Sequence, residues 1–292
     1  KAYKAVQHAT IRLDHKVGHT MQVDFTGKKL PYHDPVSGEQ LWAEMLVCTL
    51  PFSSLVFACA VASQKQEDFV MGINAALRYF DGVPQMLLSD NLKSYVITPD
   101  RYAPTFTHLC TQLSSHYGMA LDATRIYKPK DKAHVERHVN IIYTHVYAPL
   151  RHDRYEGLDQ LNAGVVKQID VLNDKKLQGK EYSRRQLFEA QEKQSLQQLP
   201  HTAFEVIKST RAKVQQNYHI FLGEDKHMYS VPYQYIGKTT EICYTSQTVE
   251  IYMGTQRIAI HQRCKTAHAY TTHEAHRPER HSEYLKQRQL TP

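Results

Sequence analysis

Thr20-Met21-Gln22-Val23-Asp24-Phe25 is the stretch from which the fold of this chain is read. Apolar Met21, Val23 and Phe25 alternate with Gln22, Asp24 and Thr26, the period-two pattern of a strand with one face on a core. An ionised carboxylate in a strand is costly unless a cation or hydrogen bonds compensate it. The ordinary alternative is the solvated polar face of an edge strand. Two more acids occupy comparable places. Asp90 closes the run Met86-Leu87-Leu88-Ser89, and Glu136 falls in the first turns of a helix expected over 131–148. Singly, Asp90 reads as a turn or N-cap residue and Glu136 as a surface residue paired with Lys132 or Asn140.

Strands are expected over 20–27, 41–50 and 54–62, with Pro31 to Gly38 as a turn-rich connection and Pro51-Phe52-Ser53-Ser54 as a hairpin turn. Val70, Ile73, Ala76, Leu77 and Phe80 recur at helical spacing over 65–80, and Asp81-Gly82-Val83-Pro84 stops that helix. A strand over 85–89, a helix over 104–117 ended by Gly118, a strand over 120–126 and the helix over 131–148 complete the order β-β-β-α-β-α-β-α. A meander followed by alternating helices and strands gives a mixed sheet covered by helices. This is the order of an α/β ribonuclease-H-like catalytic core with a five-stranded sheet, in which the first strand, the end of the fourth and a later helix converge. Helices at 157–175 and 183–195 follow. Closely spaced strands at 218–222, 227–231, 239–245, 248–253 and 256–263 suggest a small C-terminal β-barrel. The expected divisions are an arm at 1–16, the core at 17–150, a helical extension at 151–215, the barrel at 216–263 and a basic tail at 264–292.

The chain has 292 residues, 41% hydrophobic and 22% charged, with a formal net charge of +7 and 18 histidines. That is an ordinary globular composition whose charge favours a polyanionic partner. Cys48, Cys59, Cys110, Cys243 and Cys264 are scattered without a C-x-x-C pair, which argues for free thiols in a reducing, cytoplasmic compartment. No run approaches the ~18 apolar residues of a membrane span. The chain opens on Lys1 rather than Met, and the expectation is that an N-terminal region precedes it.

Taken together, Asp24, Asp90 and Glu136 fall where that topology needs metal ligands, and three converging carboxylates suit a hard cation such as Mg²⁺. Lys93 follows Asp90, and Lys128, Lys130, Lys132, His134 and Arg137 surround Glu136, a belt suited to phosphates. Any one of these lysines also serves simply to keep a helix face soluble. Asn91 and Tyr95 are candidates for contact with a DNA end, and His134 and His138 for assistance near the site.

The run Val17-Gly18-His19-Thr20-Met21-Gln22-Val23-Asp24-Phe25, the step Leu88-Ser89-Asp90-Asn91, and Lys128-Pro129 with Ala133-His134-Val135-Glu136-Arg137 resemble the DDE transposases of the retroviral-integrase superfamily, and within it the IstA-type transposases of bacterial insertion sequences. The resemblance covers roughly residues 10–290. It implies that Asp24, Asp90 and Glu136 are the catalytic triad and hold Mg²⁺, with Mn²⁺ as substitute and two ions in all. It implies action on transposon-end DNA and target DNA by a homo-oligomer of at least two protomers, with an AAA+ ATPase helper of IstB type. Val17 stands where the family usually has Pro, and Asp131 or Lys132 where it often has Gly; neither position is a ligand. Its members carry an N-terminal helix-turn-helix region, which this sequence does not show. The rival readings are a non-catalytic DNA-binding scaffold on the same core, which the three intact acids oppose, and a metal-dependent nuclease without strand transfer, which needs neither barrel nor basic tail.

Arg257 to Pro292 holds seven Lys and Arg against three Glu, with His261, His268, His273, His276 and His281 interleaved. Arg263, Arg277 and Arg280 are candidate DNA contacts on such an arm. A solvated tail, or a zinc site from Cys264, His268, His273 and His276, are the other readings of these residues.

Overall fold

The structure, a computed structural model, describes residues 14–89, 92, 94–98, 105–123 and 140–281. The chain divides into two compact units, residues 1–204 and 205–292.

In the first unit, β1 (Thr20–Phe25), β2 (Leu30–His33), β3 (Gln40–Leu50), β4 (Leu55–Val61), β5 (Met86–Ser89) and β8 (Ala120–Ala123) form one mixed sheet. Its path is β4-β3-β1-β5-β8: β1 is antiparallel to β3 and parallel to β5, and β5 is parallel to β8. Alternation and apolar runs mark five of these strands; the sixth, β2, pairs with the first residues of β3 within the turn-rich connection. β3 is long enough to serve β2 with one end and β1 and β4 with the other. A small hairpin, β6 (Val96–Thr98) with β7 (Thr105–Phe106), lies outside this sheet. β1 is therefore a central strand, which rules out the solvated edge-strand explanation of Asp24.

Helices cover both faces. α1 (Gln66–Phe80) buries Phe69, Val70, Ile73, Ala76, Leu77 and Phe80, and the left-handed Asp81 at its C-terminus donates its N–H to Arg78. Gly72 lets this helix approach closely: a Cβ there would stand 2.3 Å from Leu46 Cδ2. α2 (His108–Tyr117) is capped by the Thr107 side chain and ended by Gly118 at φ +66°. On the opposite face, Met45, Val47, Val56, Ala58 and Ala60 pack with Ile142, Val146, Leu150, Leu161, Val165, Ile169 and Leu172. Those last residues belong to a helical segment at 140–150 and to α3 (Gly157–Asp174).

α3 is thus part of the core, and it covers β4, the edge of the sheet. Asn173, fully buried, accepts the Val56 N–H at 3.1 Å and donates to the Val56 carbonyl at 2.7 Å. Asn162 does the same for Ala60, at 2.7 and 2.9 Å. After α4 (Arg184–Leu187), which starts with a Ser183–Gln186 capping box, the buried Glu192 accepts the N–H groups of Gly18 (3.3 Å) and Ser53 (3.2 Å). Burial raises the Glu192 carboxyl pKa above its ordinary value. Gly18 has φ +63°, and a Cβ there would meet Ser195 at 2.7 Å.

In the second unit, β9 (Lys208–Lys213), β12 (Thr239–Tyr244), β13 (Thr248–Met253) and β14 (Gln256–Gln262) form a sheet in the order β14-β13-β12-β9. β10 (His219–Leu222), β11 (His227–Ser230) and β15 (Tyr270–Thr271) form a second. Ile220, Leu222, Tyr229, Val231, Ile242, Val249 and Ile251 make the core between them. The boundary differs from the expected residue 216 because β9 precedes it and pairs along β12.

The expected tail is folded as far as residue 281. β15 runs parallel to β11, and the Tyr229 hydroxyl bridges the Cys264 backbone. His227 bonds the Thr266 carbonyl and the Thr271 hydroxyl, His219 bonds the Thr272 hydroxyl, and His261 donates to the Ser230 carbonyl at 2.7 Å.

Candidate active site at the β1–β5 junction

The three acids were expected to converge, and the register of the sheet bears on this directly. β1 and β5 run parallel with Val23 level with Ser89. The residue before Asp24 is therefore side by side with the residue before Asp90, and the Ser89 hydroxyl points to the Val23 carbonyl at 3.4 Å. Asp24 pairs with Val47 across the antiparallel β1–β3 ladder. Residues directly opposite in such a ladder share a face. Val47 belongs to the face packed by Ile142 and Val146, so Asp24 emerges toward the side covered by the segment at 140–150.

Asp24 is half-buried, and one of its carboxylate oxygens accepts the Phe25 N–H at 2.8 Å. Gln22, on the same face, is buried. Asp90 and Glu136 lie outside the described residues, as do Lys93, Lys128, Lys130, Lys132 and Arg137, and Asn91, His134 and His138. Among the described residues no group of three or more His, Cys, Asp or Glu side chains is placed to hold a metal. The zinc reading of Cys264, His268, His273 and His276 is thereby set aside.

A polar cluster that the sequence reading missed sits just past Asp24. The Tyr143 hydroxyl donates to the Thr26 carbonyl, and the Tyr147 hydroxyl to the Lys28 carbonyl. Thr26 Oγ1 and Tyr147 Oη are 2.6 Å apart. Lys28 Nζ lies 4.5 Å from the centre of the Tyr143 ring, a cation–π contact. Tyr143–Tyr147 is a π-helical turn. The signal available in the sequence was the spacing of these two tyrosines, four residues apart, beside the apolar seam of Ile142 and Val146.

Two expectations are corrected. Tyr95 is no DNA contact: it is fully buried, and its hydroxyl lies 2.8 Å from the Leu87 carbonyl and 3.0 Å from that of Asp122, stitching β5 to β8. Arg263 is not an exposed phosphate ligand either. Its side chain is only 6% exposed, and it is bound bidentately to Asp225 at 2.8 and 2.7 Å, to Glu224 at 3.0 Å and to the Thr245 carbonyl at 2.7 Å. Most of its donors are thus engaged within the unit. Lys208, Tyr244 and Arg263 in turn hold the Glu224 carboxyl well below the usual range, at about 2, against the opposing effect of burial. Arg277 is half-buried, and Arg280 is exposed.

The chain matches two domain families: "Integrase core domain" over residues 14–129 and "Mu transposase, C-terminal domain" over residues 199–273. It is 34% identical over 283 residues to the candidate transposase y4bL/y4kJ/y4tB of Sinorhizobium fredii, covering 97% of this chain and 54% of that protein. It is 30% identical over 292 residues to the candidate transposase of insertion sequence IS1162 from Pseudomonas fluorescens, covering 100% of this chain and 51% of that protein. The chain therefore spans about half the length of the curated relatives it matches. Among solved structures, the catalytic core domain of BIV integrase aligns with 16% identity and a TM-score of 0.41, covering 59% of this chain and 95% of that one. No helix among the described residues is long and apolar enough to cross a membrane.

Proposed function

We propose that this chain, whose residues 14–129 match the integrase core domain, is the catalytic part of a DDE transposase of a bacterial insertion sequence. Such an enzyme cleaves at transposon ends and transfers the 3′-hydroxyl strand into target DNA. The observation that carries this reading is the parallel register that sets Ser89 level with Val23. Alternation along both strands would then bring Asp24 and Asp90 to the same face at the same level. Glu136 precedes the described start of the helical segment, residue 140, by four positions, and that segment packs on Asp24's face.

The donor set fits a hard divalent cation: Asp24 offers a half-buried carboxylate at a strand end, and the other two ligands would be carboxylates as well. Asp24, Asp90 and Glu136 would hold two Mg²⁺, or Mn²⁺ in substitution, and the ions when bound would supply Lewis-acid activation of water and of the 3′-hydroxyl. The chain's own part is to hold the three carboxylates in fixed relation, exclude bulk water through the buried Gln22 and Val47 surroundings, and bind phosphates. Lys93, Lys128, Lys130, Lys132 and Arg137 would line the DNA near the triad, and Arg277 and Arg280 would extend the contact on the second unit.

The two sheets of residues 208–271 would act as a small β-barrel serving DNA and protomer contacts. Joining two ends to one target needs at least two protomers. The resemblance adds an AAA+ ATPase helper of IstB type.

Strand transfer tests this reading. Full-length protein is given a pre-cleaved end with a free 3′-hydroxyl, a plasmid target and Mg²⁺ or Mn²⁺, with Glu136→Gln as control. Joining by the wild type and not by the variant is expected. Nicking of the plasmid without joining would mean a nuclease, and DNA binding with neither would mean a scaffold.

A further inference from the structure

We infer that Tyr143 and Tyr147 are positioning residues of the reaction centre: they fix the end of the Asp24 strand to the helical segment that follows Glu136. The inference rests on the proposed function, and it names residues that the three-carboxylate motif does not contain.

Thr26, two residues beyond Asp24, is buried and held from several sides. Its N–H donates to the Met45 carbonyl at 3.1 Å, which continues the pairing with β3. Its carbonyl takes the Tyr143 hydroxyl, and its own hydroxyl meets that of Tyr147 at 2.6 Å and reaches the Lys28 carbonyl at 3.1 Å. The Tyr147 hydroxyl also donates to the Lys28 carbonyl. These bonds supply what a strand loses when it leaves its sheet: partners for the backbone groups at its end.

The two rings touch edge to face, with centroids 5.2 Å apart, so each orients the other. The π-helical turn that carries them is a departure from α-helical geometry of the kind that recurs at functional sites, and here it begins at Tyr143 and ends at Tyr147. Apolar packing by Ile142 and Val146 alone would let this segment slide along the sheet face, because apolar contact is non-directional. Phenol-to-carbonyl bonds do not tolerate such a slide. Such a fixed segment is what a carboxylate supplied from upstream would need in order to act together with Asp24.

The test compares Tyr143→Phe, Tyr147→Phe and the double variant with wild type and Asp24→Asn, in full-length protein. Each phenylalanine keeps the ring and removes only the hydroxyl. Three quantities are read: the Mn²⁺ dissociation constant from binding titration without DNA, the affinity for end DNA, and kcat for strand transfer. The inference expects the double variant to lose about tenfold or more in kcat and to bind Mn²⁺ correspondingly more weakly, with end-DNA affinity unchanged, because sub-ångström misplacement of reacting groups acts on the chemical step. A lower thermal midpoint with kcat and Mn²⁺ affinity unchanged would reduce the tyrosines to packing and overturn the inference alone. If wild type and Asp24→Asn bind Mn²⁺ equally, the functional reading fails and the inference falls with it.

Discussion

Ser89 stands level with Val23 across the parallel β1–β5 ladder, so the residues that precede Asp24 and Asp90 are neighbours in space although 66 positions apart in sequence. Two chain segments are thereby fixed side by side by backbone bonds, which are less yielding than side-chain contacts. A site assembled on adjacent strands of one sheet is held more rigidly than one assembled on loops.

The clasp of β4 by α3 should be measurable as stability. Asn173→Ala leaves the buried N–H and carbonyl of Val56 without partners and should cost about 2–3 kcal/mol in urea unfolding. Asn162→Ala, at the half-buried Ala60 clasp, should cost about 1 kcal/mol. Equal and negligible losses would mean that apolar packing alone seals the edge.

Arg263 and Arg280 should separate stability from DNA binding. Arg263→Ala leaves Asp225 buried and unpaired, and should destabilise the second unit by about 3–5 kcal/mol. Arg280→Ala should leave the thermal midpoint in place while weakening end-DNA binding and flattening its salt dependence. The comparison is made by thermal melts and salt-titrated binding on the same preparations.

The second unit should loosen in acid. His261 is buried, donates to the Ser230 carbonyl, and is depressed to about 4, by burial first and then by His273, His276 and His219 nearby. Burial also depresses His219 and His276, with Arg277 contributing at His219 and His273 at His276. A histidine depressed in the fold contributes stability that is present above its ordinary value of 6.5 and is lost as pH falls through the folded value. The loss attributable to His261 is on the order of 3 kcal/mol at most. Hydrogen-exchange protection, measured against the intrinsic rate at each pH, should therefore fall at β11 and β14 between pH 6.5 and pH 4, and His261→Gln should reduce that pH dependence.

The sheet of the first unit was readable because alternation and apolar runs in β1, β3 and β4 mark a strand wherever one face is buried. β2 was hidden by Pro31 and the Asp34-Pro35 turn, which read as loop although Leu30 to His33 pairs with β3. β9, Lys-Ser-Thr-Arg-Ala-Lys, is an exposed edge strand with little to alternate. Tyr95 and Arg263 misled for one reason: residue type suggests exposure, and only the fold supplies the Leu87 carbonyl or the Asp225 carboxylate that makes burial affordable. At the site, Asp24 was legible as a carboxylate in the wrong setting. The Tyr143–Thr26 bond spans 117 residues of chain, and no local pattern carries it.

The central claim, that Asp24 is a metal ligand of the reaction centre, is tested most directly by metal rescue. Asp24→Cys offers a soft thiolate where a carboxylate stood, and such a ligand disfavours Mg²⁺ and accepts thiophilic ions. Strand transfer by this variant should be abolished in Mg²⁺ and recovered in part in Mn²⁺ or Cd²⁺, while Asp24→Ala stays inactive in all three. Activity of Asp24→Cys in Mg²⁺ at the wild-type level would contradict the account.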